Sequence, residues 1–248
     1  MTCGVWRLYR LESHDRRSHY PLDILTGKQY AVITGDIVGS RKFPEKARRD
    51  LHAVMTAGAE ALCTVFGDAV PLEVDIFRGD AWQMVVADPA EALRIGSFYR
   101  AFLRAEIRNV KADSRLAIAV GTIDFIPGAN VSSGDGEAYR LSGSLLERMP
   151  RQQRLAFAFA AKEADDRVAA LKTVIQLMDV LAANWSEKQA QAIMGALQGW
   201  TQEKIATTCW PQPITQQAVA QHLDRAGWHA FESGLSYFEE TLSSLIAL

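Results

Sequence analysis

The stretch "YAVITGDIVGSRKF", residues 30–43, sets the reading of the whole chain. Residues 30–38 are apolar nearly throughout, with glycine close to the end, as in a strand covered on both faces. Asp36 is out of place in such a strand, and Gly39, Ser40, Arg41 and Lys42 follow shortly after it. A carboxylate drawn into a core is costly unless it is partnered. The end of this strand is therefore the first place to look for chemistry.

Outward from it, "EKARRDLHAVMTAGAEALCTVFG" places Leu51, Val54, Met55, Leu62, Val65 and Phe66 at helical spacing, and Pro44 suits a first turn. "PLEVDIFRGDAWQMVVADP" alternates on either side of Gly79-Asp80, which predicts a hairpin with that dipeptide at or near its tip. A helix from Pro89 to about Lys111, a strand in "SRLAIAVGTIDFI", a helix over 137–149 and a short strand in "RLAFAFA" follow. A hairpin set among alternating strands and helices predicts a ferredoxin-like α/β sandwich over residues 29–163 rather than a doubly wound sheet. Beyond it only helical patterns remain, at 164–183, 186–199, 201–209, 214–226 and 229–246. They predict an all-helical second domain over 164–248, giving an α+β chain in two parts. Residues 1–28 show no clean period and are read as an N-terminal extension.

The 248 residues are 48% hydrophobic with a net charge of −2, which allows a large core and gives no global attraction to nucleic acid or membrane. No apolar run approaches the roughly 18 residues of a membrane span, and residues 1–28 lack a signal-peptide core. These features predict a cytoplasmic protein with no membrane contact. Cys3, Cys63 and Cys209 are too scattered for a zinc site or a disulfide framework, and the five histidines show no metal spacing. Arg100, Arg104, Arg108 and Lys111 recur at helical steps and read as a solvated basic face.

In a ferredoxin-like sheet the first strand and the hairpin are neighbours, so Asp36 and Asp80 can meet over one edge. Paired carboxylates suit Mg²⁺ or Mn²⁺. Backbone amides at Gly39 and Ser40 can approach a phosphate, and Arg41 and Lys42 can balance its charge. Equally, Asp36 can cap the following loop and Asp80 can be a plain turn residue, since Gly-Asp is common in turns. Spacing alone leaves both open.

"ITGDIVGS" resembles the first metal-binding motif of class III nucleotidyl cyclases, and "FRGDAWQMVVADPAEALRIG" resembles their second. The resemblance implies that Asp36 and Asp80 are metal aspartates and the Ile37 carbonyl a further ligand. The chain as a whole is more similar to the SatD family, a cyclase-like domain joined to a C-terminal helix-turn-helix. The features that carry this are "GDIVGSRK", "RGDAWQ", "GDGEAY" and "RAGW", over roughly residues 29–240. One departure matters. Active cyclases place an Asn and, four residues later, an Arg on the helix after the fourth strand; here Arg140 and Ser144 fall at those positions in "GEAYRLSGSLLERM". Arg140 remains a candidate phosphate contact. Loss of a positioned transition-state donor typically costs about a hundredfold or more, so a nucleoside triphosphate or related phosphorylated ligand is expected to bind without efficient turnover. Class III cyclases commonly assemble their site across a dimer, which implies a homodimer.

The stretch "WTQEKIATTCWPQPITQQAVAQHLDRAGWHAF" has helix-turn-helix character, with Thr201 as an N-cap, Gly227 as a terminator and a turn longer than usual. Its second helix would present Thr215, Gln216, Gln217, Gln221, His222 and Arg225 to double-stranded DNA. Residues 180–248 carry three bases and six acids, a balance of −3 that offers few phosphate contacts. The chain thus reads as a transcriptional regulator with a metal-nucleotide sensor domain. The alternative is a divergent nucleotidyl cyclase or transferase whose helical part serves dimerisation.

Overall fold

A computed structural model describes residues 24–108, 110–128 and 130–247. Of the proposed N-terminal extension, residues 1–23 lie outside the described residues. The apolar run that opens the chain's readable part forms β1 (Tyr30–Ile37), in which only Asp36 is not fully buried. β1 is central, as a strand apolar on both faces must be. It pairs antiparallel with β3 (Ala81–Val86) on one side and with β4 (Ser114–Gly121) on the other. β2 (Asp75–Phe77) pairs antiparallel with β3, and β5 (Leu155–Phe159) lies parallel to β4. The order is β2-β3-β1-β4-β5, a ferredoxin-like arrangement extended by β5.

Alternation along β1 sorts the two layers. Ala31, Ile33 and Ile37 enter the main core with α1 (Glu45–Phe66) and α2 (Ala92–Glu106). Tyr30 and Val32 face the other way, where they join Val85, Ala138 and Tyr139 under α3 (Glu137–Arg148). Strand and helix ends move slightly from expectation. The helix after the hairpin stops at Glu106 rather than near Lys111, and the fourth strand stops at Gly121 rather than running through Ile126.

Five helices follow: α4 (Asp166–Ala183), α5 (Glu187–Leu197), α6 (Gln202–Thr208), α7 (Gln216–Ala226) and α8 (Trp228–Ile246). Their apolar faces belong to the same buried cluster as the sheet: Phe157 of β5 meets Phe238 of α8 edge to face at 5.2 Å. No helix of the described residues is long and apolar enough to cross a membrane.

α2 lies between the sheet and these helices, and every residue of it except Arg94 is buried. This corrects the reading of Arg100 and Arg104 as a solvated basic face. They are 2% and 3% exposed. Arg100 donates to both oxygens of Asp113, at 2.8 and 3.0 Å, and to Asp179 of α4 at 2.7 Å. Arg104 pairs with Asp113 at 2.6 Å and donates to the carbonyls of Ala183 and Trp185 at 3.2 and 2.6 Å. Only Arg108 and Lys111 of that series are exposed.

Candidate functional site

β1 ends at Asp36-Ile37, and two turns meet there. Gly39, at φ +68°, adopts the left-handed conformation that lets the chain turn into the short 3-10 segment Ser40–Lys42. The hairpin turn carries Arg78 and Gly79, both at positive φ, and delivers Asp80 beside β1. The Asp80 carbonyl accepts from the Ile37 amide at 3.0 Å, and its carboxylate oxygen Oδ2 accepts from the Ser40 hydroxyl. Asp36 is paired in register with Ala81, the residue after Asp80. The structure therefore brings Asp36, Ile37, Ser40 and Asp80 together at one sheet edge, with Arg41 and Lys42 exposed beside them.

An unforeseen residue completes this edge. Arg115 sits opposite Asp36 in the β1–β4 register. Its Nε donates to Asp36 Oδ1 at 2.9 Å, and its Nη2 donates to Oδ2. Donating to the Asp36 carboxylate raises the Arg115 pKa above its ordinary value, so the guanidinium is always charged. The two side chains are 25% and 28% exposed. Beneath them the Ser114 hydroxyl donates to the Asp36 carbonyl at 2.8 Å and accepts from the Trp82 indole at 3.2 Å. The only sequence signal was a lone arginine near the start of an otherwise apolar strand.

The donor set expected for Mg²⁺ or Mn²⁺ was Asp36, Asp80 and the Ile37 carbonyl. Two carboxylates and a carbonyl are the right chemistry for a hard cation. As arranged, however, both oxygens of Asp36 are held by Arg115 and Asp80 is engaged by Ser40. Among the described residues no group of three or more His, Cys, Asp or Glu side chains could hold a metal ion. The residues do not fit a metal in this arrangement.

Arg140 is not part of this edge. It lies in the first turn of α3, where it pairs with Asp135 at 2.7 Å and Asp124 at 3.6 Å, beyond the Gly121 end of β4. Gly121 faces Tyr30, six residues along β1 from Asp36 and so about 20 Å away. Ser144 lines a separate cleft of about 340 Å³ between α3, β5 and α4, with Arg148 and Lys172 also on its wall.

In the helical half, Thr215 caps α7 by accepting from the Ala218 amide at 3.2 Å. Val219 and Leu223 are buried, while Gln216, Gln217, Gln221 and Arg225 are exposed. His222 is half-buried and stacks on Trp210 at 6.0 Å. Burial, with Lys188 and Arg225 nearby, lowers its pKa below the usual value. The turn between α6 and α7 spans residues 209–215, and Cys209 within it is buried, which pushes its thiol up to about 12.

The edge and α7 are joined by a continuous chain of contacts. The Ser114 that holds Asp36 donates its amide to Asp113 at 2.9 Å. Asp113 binds Arg104, Arg104 binds the Trp185 carbonyl, and the Trp185 indole donates to the carbonyl of Ala226, the last residue of α7, at 3.0 Å.

No protein-family model matches the chain, and no curated protein matches it. Among solved structures the chain is similar to a crystal structure of the guanylyl cyclase Cya2. The identity is 11% and the TM-score 0.41, over 56% of this chain and 77% of that one.

Proposed function

We propose that this chain is a cytoplasmic regulatory protein of the SatD kind, in which the edge at Asp36, Ser40, Asp80 and Arg115 takes a nucleoside triphosphate or related phosphorylated ligand. α7 contacts double-stranded DNA, and ligand state biases that contact. The observation that carries this reading is the edge itself: a half-exposed charged cluster at the end of a strand otherwise buried in apolar surroundings. Charged groups are retained in such a place for binding more readily than for packing. The contact chain from Asp36 to Ala226 supports a coupling between the two ends as a physical connection. The outward glutamines and Arg225 of α7 support the DNA half.

With so few cations on residues 180–248, DNA binding is expected to be modest and salt-sensitive. Two copies in a homodimer, on half-sites about one helical turn apart, would supply useful affinity. The test is a gel-shift series on selected DNA. Gln217→Ala should cost about 1–3 kcal/mol of discrimination at one base pair, whereas Arg225→Ala should weaken all sequences alike. No specific binding by the wild type at low salt would remove the DNA half.

A second reading is a divergent metal-dependent nucleotidyl cyclase or transferase acting as a homodimer, which would need Asp36 released from Arg115. Arg140 stands at the far end of the sheet from Asp36 in the same chain. Only a second copy could bring an Arg140 to this edge. Cyclic nucleotide formation that disappears on Asp36→Ala would establish it.

A further inference from the structure

We infer that Arg115 takes the place a divalent cation would hold at Asp36, so that this edge binds a phosphate group without a metal. The inference deepens the reading of the edge as a phosphate-ligand site and rests on it for the ligand. Arg115 and Asp36 are directly opposed on neighbouring strands, and the guanidinium forks onto both carboxylate oxygens. A hard cation needs those oxygens at about 2.0–2.1 Å, and while the fork is closed it competes for them with a guanidinium that also repels it. The main chain under the pair is held by Ser114, which fixes the strand end from which Asp36 projects.

Local charge points the same way. The Ser40–Asp80 hydrogen bond joins the turn after β1 to the hairpin turn. Those turns bring exposed Arg41, Lys42 and Arg78 around the pair. With Arg115, the residues at and beside these two turns carry four cations against two carboxylates, Asp36 and Asp80, an excess that attracts an anion and repels Mg²⁺. Arg115 has used Nε and Nη2 on Asp36, and its Nη1 donates to none of the described residues. A guanidinium fixed on one side by a carboxylate and open on the other matches the geometry of a phosphate oxygen. The chemical class of ligand is therefore a phosphate chain presented as its free anion rather than as a metal chelate.

Two measurements on the full chain test this. The first is Mn²⁺ alone, followed by electron paramagnetic resonance, on the wild type, Asp36→Asn, Arg115→Gln and the double variant Arg115→Gln/Asp36→Asn. No saturable Mn²⁺ binding is expected for the wild type. Arg115→Gln should gain saturable Mn²⁺ binding, because the two charged hydrogen bonds to Asp36 no longer have to be broken, and the double variant should lose that gain by about tenfold or more. Arg115→Met serves the same purpose should the glutamine variant not fold. The second measurement is calorimetric titration with tripolyphosphate, in EDTA and in Mg²⁺. Binding by the wild type in EDTA, weaker in Mg²⁺ because chelation depletes the free anion, and lost in Arg115→Gln, is expected. Saturable Mn²⁺ binding by the wild type that Asp36→Asn abolishes would overturn the inference. So would absence of any Mn²⁺ gain in Arg115→Gln, or tripolyphosphate binding that demands Mg²⁺. Failure of tripolyphosphate to bind in either buffer would instead remove the phosphate reading of the edge, whereas the Mn²⁺ result reports on Arg115 alone.

Discussion

Asp113→Ala is expected to lower the unfolding free energy in urea by about 3–5 kcal/mol, the cost of leaving a buried charge without its partner. Asp113 is the shared acceptor of Arg100 and Arg104, and its removal strips a counter-ion from two guanidiniums that are 2% and 3% exposed. Arg100 keeps Asp179 and Arg104 keeps two carbonyls, which limits the loss but does not neutralise the second cation. The same site gives a pH signature. Burial alone would raise the Asp113 pKa, but Arg100 and Arg104 outweigh it and hold the carboxyl below its ordinary value. A group whose folded pKa is depressed stabilises the fold fully above the unfolded value, about 3.9 for Asp, and loses that contribution as pH falls through the lower folded value. Asp113→Asn should therefore flatten the fall in stability below about pH 4, and urea titrations at stepped pH will read this.

Gly35→Ala is the second large effect. A Cβ at Gly35 would lie 2.3 and 2.4 Å from ring carbons of Trp82 and 2.5 Å from the Arg115 carbonyl. Neither neighbour can retreat. Trp82 is fully buried and packed edge to face on Tyr99 at 4.8 Å, and the carbonyl is sheet backbone. Overpacking of this kind typically costs about 1–3 kcal/mol, and the upper end is expected because backbone is involved. The shift should also pull the Trp82 indole from Ser114 and loosen the hold on Asp36. Thermal unfolding and tripolyphosphate titration of the same variant should fall together. Unchanged stability would show that the Trp82 ring has more room than its contacts imply.

The sheet was legible because its signals are local. An apolar run marks a central strand, a Gly-Asp turn marks a hairpin, and a hairpin among alternating elements specifies the ferredoxin-like order. Asp36 and Asp80 could be placed together on that topology alone. Three features could not be read this way. Helical spacing puts Arg100 and Arg104 on one face but cannot say that the C-terminal helices cover it. Arg115 and Asp36 are 79 residues apart in sequence and become partners only through strand register. Arg140 takes its position from the start of α3, at the end of the sheet away from Asp36, which motif alignment does not encode. In each case the missing information was which surface a second, distant element would meet.

The most direct test of a phosphate-ligand edge at the end of β1 is a melting-temperature series with each of the four nucleoside triphosphates, run on the wild type, Asp80→Ala and Arg115→Gln. Product chromatography on the same samples reports turnover. At least one nucleotide should raise the wild-type melting temperature without detectable cyclic product, and the rise should shrink in both variants. No rise with any nucleotide, or a rise that both variants retain in full, would contradict it.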